Sequence, residues 1–258
     1  MRIRLISLAI TLLAALALAP GAWAAPTTFT VNASTDEADA NVGNGSCATS
    51  GGDCTLRAAI QETNAVAPGG DPVRIAFSVT SVVPISDLPA IRRGGTLVSG
   101  CNVDFVSQNG GYATPAPATG QCVGLIGAGT ATVGLQVGDA SSDPSGVAIF
   151  NLAFTHFPSA GIRVWGGDLT RISGNVFGRT LSGTPDPNGT AIRVSGRTQN
   201  GTLANPATGN VIGGPSSATD TDAPGCDSYC NTIVNSTQQG IDLVGTAAPS
   251  GPGDAPAG

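Results

Sequence analysis

The sequence predicts an all-β protein, a solenoid of short parallel strands with one helix near its N-terminus. Three observations point there. A strand-like motif recurs at intervals in the second half of the chain. Each recurrence holds short runs of alternating apolar and polar residues, punctuated by Gly and Asn. One segment alone has helical periodicity. A fixed period of tens of residues is the signature of stacked units, each too thin to bury its own apolar face.

In chain order, Met1-Arg2-Ile3-Arg4 is basic, Leu5 to Ala19 is an apolar run, and Ala22-Trp23-Ala24 follows Pro20-Gly21. Basic, apolar and small-x-small in that order is a secretory signal, with cleavage expected after Ala24. The run is shorter than the ~20 residues that span a bilayer. No second long apolar run follows, so the mature chain is expected to carry no membrane span. Losing Arg2 and Arg4 takes the formal charge from −6 to −8. That balance argues against nucleic acid, which needs basic patches.

After a short β-prone run at Phe29-Thr30-Val31, Thr55 to Ala65 is the one convincing helix. Leu56, Ala59, Ile60 and Thr63 fall on one helical face. Asp53 or Thr55 can serve as N-cap, and Pro68-Gly69-Gly70 stops the helix. Arg74 to Val79 and Thr96-Leu97-Val98 read as strands, and residues 107–120 as a Gly/Pro/Ala/Thr loop.

The repeat begins near residue 131. Gly134-Leu135-Gln136-Val137 returns as Gly161-Ile162-Arg163-Val164, as Ala191-Ile192-Arg193-Val194 and as Gly240-Ile241-Asp242-Leu243. Counted on Leu135, Ile162, Ile192 and Ile241, the intervals are 27, 30 and 49 residues, the last reading as about two periods. A second set of strings interleaves with it, starting at Asn151, Asn175, Asn210 and Asn231. No repeat has room for a ten-residue helix, which excludes the helical solenoids. A β-sandwich also uses short strands but does not require the repeat. Gly and Asn suit the bends because they tolerate left-handed backbone angles.

The cysteines are 47, 54, 101, 122, 226 and 230. An even number in an exported chain reads as disulfides. Their spacing favours Cys47–Cys54, Cys101–Cys122 and Cys226–Cys230 among the many connectivities that six cysteines allow. Zinc is the rival for Cys226-x3-Cys230, but His156 is the sole histidine and no second pair lies nearby.

Cys54-Thr55-Leu56-Arg57-Ala58-Ala59-Ile60-Gln61-Glu62-Thr63-Asn64-Ala65 resembles the CSLREA motif that opens many secreted bacterial proteins. It departs at Ala58, usually Glu, and at Thr63, usually Ala. Asp36, Asp39, Asn41, Ile75-Ala76-Phe77, Leu88-Pro89-Ala90-Ile91 and Gly209-Asn210-Val211-Ile212-Gly213-Gly214 are also similar to that family, so the likeness extends over residues 28–245. The resemblance implies secretion and a right-handed parallel β-helix of pectate-lyase-like fold. It implies no reaction. The division it suggests is a signal at 1–24, an N-terminal cap at 25–70, coils at 71–245 and a Gly/Pro/Ala-rich tail at 246–258. The cap helix would cover the exposed core of the first coil. The tail has nothing apolar to cover the last one, so the chain is expected to be an early part of a longer protein.

Chemistry is sparse. Glu37 and Glu62 are the only glutamates, and His156 has no base partner visible in sequence, which makes it a turn or surface residue. No cofactor is expected. Asp220, Asp222 and Asp227 can be read as calcium ligands, though a solvated loop is the simpler reading. The most suggestive column is Gln136, Arg163, Arg193 and Asp242. Each sits between two apolar residues, so each is expected to point outward on one face. An outward file of arginines suits the carboxylates of an acidic cell-surface or extracellular polysaccharide, against the plainer reading of an ordinary polar exterior. The expected function is a noncatalytic secreted or surface scaffold. The alternative is a polysaccharide lyase or hydrolase, because fold alone does not transfer activity.

Overall fold

The computed structural model describes residues 26–67, 72–101, 122–199, 202–213 and 230–244. The signal at 1–24, the loop at 107–120, the Asp220–Asp227 loop, Cys226 with its expected pairing, and the tail at 246–258 lie outside the described residues.

Almost all regular structure is strand, and the strands pair in parallel. Sheet A holds β1 (Thr27–Val31), β2 (Val73–Phe77), β4 (Thr96–Ser99), β7 (Ala148–Phe150), β10 (Arg171–Ser173) and β15 (Val211–Ile212), adjacent in that order. Sheet B holds β3 (Ser81–Val82), β5 (Val123–Ile126), β8 (Leu152–Thr155), β11 (Val176–Phe177) and β16 (Thr232–Ile233). Sheet C holds β6 (Val133–Val137), β9 (Ala160–Trp165), β12 (Thr190–Ser195) and β17 (Ile241–Val244). Ile91 extends sheet C by a parallel bridge to Val137. The chain therefore visits A, then B, then C, and repeats that order on five successive passes. The exception is an antiparallel hairpin, β13 (Arg197–Gln199) with β14 (Thr202–Asn205), inserted before the fifth pass.

The inward residues of all three sheets form one buried cluster, including Ile75, Ile149 and Ile172 from A, Leu125, Phe154 and Phe177 from B, and Leu135, Ile162 and Ile192 from C. The Phe154 and Phe177 rings stack with centroids 5.1 Å apart. Glycine makes room for them: a Cβ on Gly161 would lie 2.8 Å from the Phe177 ring. Asparagine closes several bends. Asn175, fully buried, accepts from the Leu152 N–H (3.1 Å) and donates to Ile149 O (3.0 Å), tying one pass to the preceding one. Asn188 does the same between Phe157 N–H and Phe154 O.

The helix α1 spans Leu56–Ala65. Thr55 is its N-cap, with Oγ1 accepting from the Ala58 N–H, and the Val66 N–H closes the other end on Glu62 O and Thr63 O. The expected stripe of Leu56, Ala59, Ile60 and Thr63 is buried, and so are Ala58 and Glu62. Glu62 is tolerated inside because its carboxylate accepts from the Gly43 and Gly45 N–H groups. The helix packs on β1 and β2. Arg57 anchors it there with a bidentate bond to Asp36 (2.9 and 2.8 Å) and a bond to Ser86. The disulfides Cys47–Cys54 and Cys101–Cys122 are formed.

Two expectations about register are corrected. The 49-residue interval is one pass, not two: Ile192 pairs directly with Ile241, the hairpin and residues 214–229 lengthening the connection. The four Asn strings are not equivalent either. Phe154 pairs with Phe177, which sets Asn175 level with Leu152 rather than with Asn151. Asn210 leads into sheet A, where Val211 pairs with Arg171.

Candidate ligand-binding face

On sheet C, alternation sends Leu135, Ile162, Ile192 and Val137, Val164, Val194 inward, all nearly or fully buried. The residues between them emerge on the other side. Gln136 pairs with Arg163, Arg163 with Arg193, and Arg193 with Asp242. The four therefore occupy successive strands, about 4.8 Å apart.

Their contacts make the four unequal. Arg193 Nε donates to Asp242 Oδ2 at 2.8 Å, so the last two members largely neutralise each other. Gln136 Nε2 donates to Gly138 O (2.9 Å). Arg163 is half-buried and forms no ion pair among the described residues; its Nε has no hydrogen-bond partner there. Its guanidinium lies over the Trp165 ring, 4.6 Å from the centroid, a cation–π contact. Burial pushes the Arg163 guanidinium below its ordinary pKa, the neighbouring Arg193 charge pushes the same way, and Asp87 opposes both. Trp165 was absent from the sequence-predicted column. The signal that finds it is the same alternation, since it lies two residues beyond Arg163 on one strand.

A second feature lies where the chain turns from sheet B to sheet C. His156 is a turn residue with φ 64°, strongly exposed. Its Nδ1 is 3.1 Å from Asp186 Oδ1, a partner 30 residues away that the sequence did not disclose. The pair borders a recess of about 430 Å³ whose other walls include Gly127, Pro158, Asn188 and Thr237. Thr237 Oγ1 donates to Asn188 O (3.3 Å). No hydroxyl or thiol hydrogen-bonds His156 among the described residues, so a nucleophile–base–orienter set is incomplete there.

The other carboxylates with described contacts tie the fold together. Asp87 accepts from Thr132 and Val133, Asp168 from Thr208, and Asp39 from Asn41 and Ala48. Among the described residues, no group of three or more His, Cys, Asp or Glu side chains is placed to hold a metal. No helix there is long and apolar enough to cross a membrane. Neither protein-family models, curated proteins nor solved structures match the chain.

Proposed function

We propose that the three sheets are the faces of a right-handed parallel β-helix, capped at its start by α1. In this reading the protein is a secreted or cell-surface scaffold that binds a carboxylated polysaccharide on sheet C without turning it over. The fixed A-B-C order of five passes supports the solenoid, and the near-universal hand of parallel crossovers supports its sense. The CSLREA-like residues support export, as does the Met1–Ala24 segment.

The observation that carries the binding reading is Arg163. Burial and Arg193 disfavour its charge more than Asp87 favours it, yet the guanidinium is held against Trp165 with no acid in contact among the described residues. A charge kept at a cost to folding marks a functional candidate. The planar guanidinium matches a sugar carboxylate, and the indole offers a flat apolar surface beside it. The engagement of most described carboxylates in structural hydrogen bonds supports the absence of catalysis.

The test is titration with polygalacturonate, with and without Ca²⁺. Arg163→Gln should weaken binding by roughly tenfold, the scale of one charge-assisted hydrogen bond, and Trp165→Ala by a similar factor. Binding should fall as salt rises past ~0.15 M. Arg163→Gln should leave the melting temperature unchanged or slightly raised. Equal binding by the wild type and both variants would refute the assignment. Release of unsaturated or reducing ends, lost on replacing His156 or Asp186, would replace the scaffold by an enzyme.

A further inference from the structure

We infer that the Asn44–Gly45 pair in the cap is a self-modification site, at which the Gly45 backbone nitrogen attacks the Asn44 side chain and Glu62 takes the proton. Asn–Gly occurs four times in the chain, at 44–45, 109–110, 188–189 and 200–201. The first pair sits in an exposed loop fastened to α1 through Glu62. Its reacting groups are held from three sides. The Ser46 N–H donates to Asn44 Oδ1 at 2.7 Å, the Gly45 N–H donates to Glu62 Oε2 at 3.0 Å, and the Asn44 N–H donates to Asn41 O at 3.3 Å. Asp39 secures the loop on both flanks, accepting from the Asn41 and Ala48 N–H groups at 2.8 Å each. The Cys47–Cys54 disulfide ties it to the approach to the helix.

Each contact has a use in the reaction. The Ser46 N–H polarises the Asn44 side-chain carbonyl and is placed for the negative charge that develops on Oδ1 as nitrogen adds. Glu62 is buried, and its carboxylate, unlike a peptide carbonyl, can accept the proton that the Gly45 nitrogen must lose. Nothing beyond its chain neighbours lies within 4 Å of the place a Cβ would take on Gly45, so ring closure is unobstructed. Exposure lets ammonia leave and water enter. The Gly45 N–Cγ bond forms and the Cγ–Nδ2 bond breaks. The proton from the Gly45 nitrogen passes by way of Glu62 to the departing Nδ2, which leaves as ammonia. Water then opens the five-membered imide at either carbonyl, leaving an aspartyl or isoaspartyl residue at position 44. The isoaspartyl form adds a carbon to the backbone and draws the Gly45 N–H off Glu62, so the buried carboxylate loses one of the two donors that satisfy it.

Asn188–Gly189 supplies the contrast. Asn188 is buried, its Oδ1 accepts from the Phe157 N–H at 3.0 Å, and its Nδ2 donates to Phe154 O at 2.8 Å. The Gly189 N–H donates to Phe157 O, a carbonyl that takes no proton. The same dipeptide there has a polarised carbonyl, but no base on its nitrogen and no exit for its leaving group.

The experiment incubates the purified chain, disulfides intact, near neutral pH in buffer and in urea, and follows conversion at each asparagine by peptide mapping with mass spectrometry. Asn44 should convert at least about tenfold faster in the folded chain than in urea, a conservative bound on what a positioned base contributes. Asn188 should stay unmodified in buffer and convert in urea. Glu62→Gln keeps an acceptor for the glycine N–H groups but cannot take a proton, and should slow the folded reaction at Asn44 by about tenfold. Folded Asn44 that converts no faster than in urea overturns the inference. Conversion of Asn188 in buffer as fast as Asn44 overturns it equally. So does a Glu62→Gln variant, shown to be folded by circular dichroism, that converts like wild type. If that variant fails to fold, the wild-type comparison between buffer and urea decides alone.

Discussion

Asn175→Ala tests whether side-chain amides, rather than strand pairing alone, hold successive passes together. Asn175 is fully buried, and its side chain bonds Leu152 N–H, Ile149 O and Ser173 O. Truncation leaves at least one buried donor and one buried acceptor without a partner. Each such orphan costs about 1–3 kcal/mol. The cavity left by the amide adds to that, while partial relaxation subtracts, so the expected loss is about 3 kcal/mol. For a chain of this size 1 kcal/mol moves the melting temperature by about 2–4 °C. The variant should therefore melt roughly 6–12 °C below the wild type in a reversible scan followed by circular dichroism. Asn175→Leu is the informative companion. Leucine stands at the paired position in the preceding pass, Leu152, so its volume fits while the hydrogen bonds remain lost. It should recover the cavity part of the loss and no more. A melting temperature within 2 °C of wild type for Asn175→Ala would mean that water or a shifted backbone satisfies Leu152 and Ile149, and the asparagine would then be incidental to the stacking.

Arg57→Ala should cost about 3 kcal/mol in urea denaturation, because it leaves the Asp36 carboxylate, 2% exposed, without its cation. Arg92→Ala, whose side chain is 56% exposed opposite Asp139, should cost less than about 1 kcal/mol; equal losses would refute the distinction. Burial raises the Asp139 carboxyl pKa, but the Ser141 N–H and hydroxyl and the Arg92 charge outweigh it and hold the group below its ordinary value of 3.8. A carboxyl with a depressed folded pKa stabilises above its unfolded value and loses that contribution as the pH falls. Asp139→Asn should therefore be destabilising at pH 7 and converge on wild type as pH falls below 3.8, and a constant gap would refute the linkage. Removing Cys101–Cys122, which closes a longer loop than Cys47–Cys54, should cost more by about 1 kcal/mol on the chain-entropy view; equal losses in paired Cys→Ser variants would contradict it.

What was legible from sequence follows the two periodicities. Thr55 to Ala65 announced α1 through a 3.6-residue stripe and a capping side chain, and the structure departs in burying Ala58 and Glu62 as well. The Leu135, Ile162, Ile192 and Ile241 column was legible because a strict alternation behind a small residue marks one inward position on each pass. The Asn strings misled because one residue type serves two jobs here, and on two sheets. Asn151 takes a left-handed bend at φ 59°, whereas Asn175, Asn210 and Asn231 bond across to the preceding pass, Asn210 at the entrance to sheet A and the other two at the entrance to sheet B. A string match cannot separate those jobs, and a one-residue slip exchanges core for surface. The contacts of the candidate face and of the His156 recess were less legible still. The Arg193–Asp242 and His156–Asp186 pairs join residues 49 and 30 positions apart. Their existence depends on insertions whose lengths no repeat predicts.

Those insertions also explain why the stack tolerates irregularity. Ala148 and Arg171 on sheet A are paired across 23 residues, while Leu97 and Ala148 are paired across 51. Loop closure costs grow only as the logarithm of length, so an excursion between any two successive sheets perturbs the stacked core little provided its ends return to register. The excursion that carries Asp186 reaches His156 this way, and the hairpin before the fifth pass begins with Arg197, which bonds Ala140 O and pairs with Asp143. Polar contacts thus concentrate on the variable connections and on the outer side of sheet C, while the inner side stays apolar and interchangeable. An outer face built from residues of this kind changes by substitution without disturbing the fold. Arg163 is its clearest case: its neighbours Ile162 and Val164 are fixed by the core they fill, and the residue between them is free to be chosen for what it meets outside.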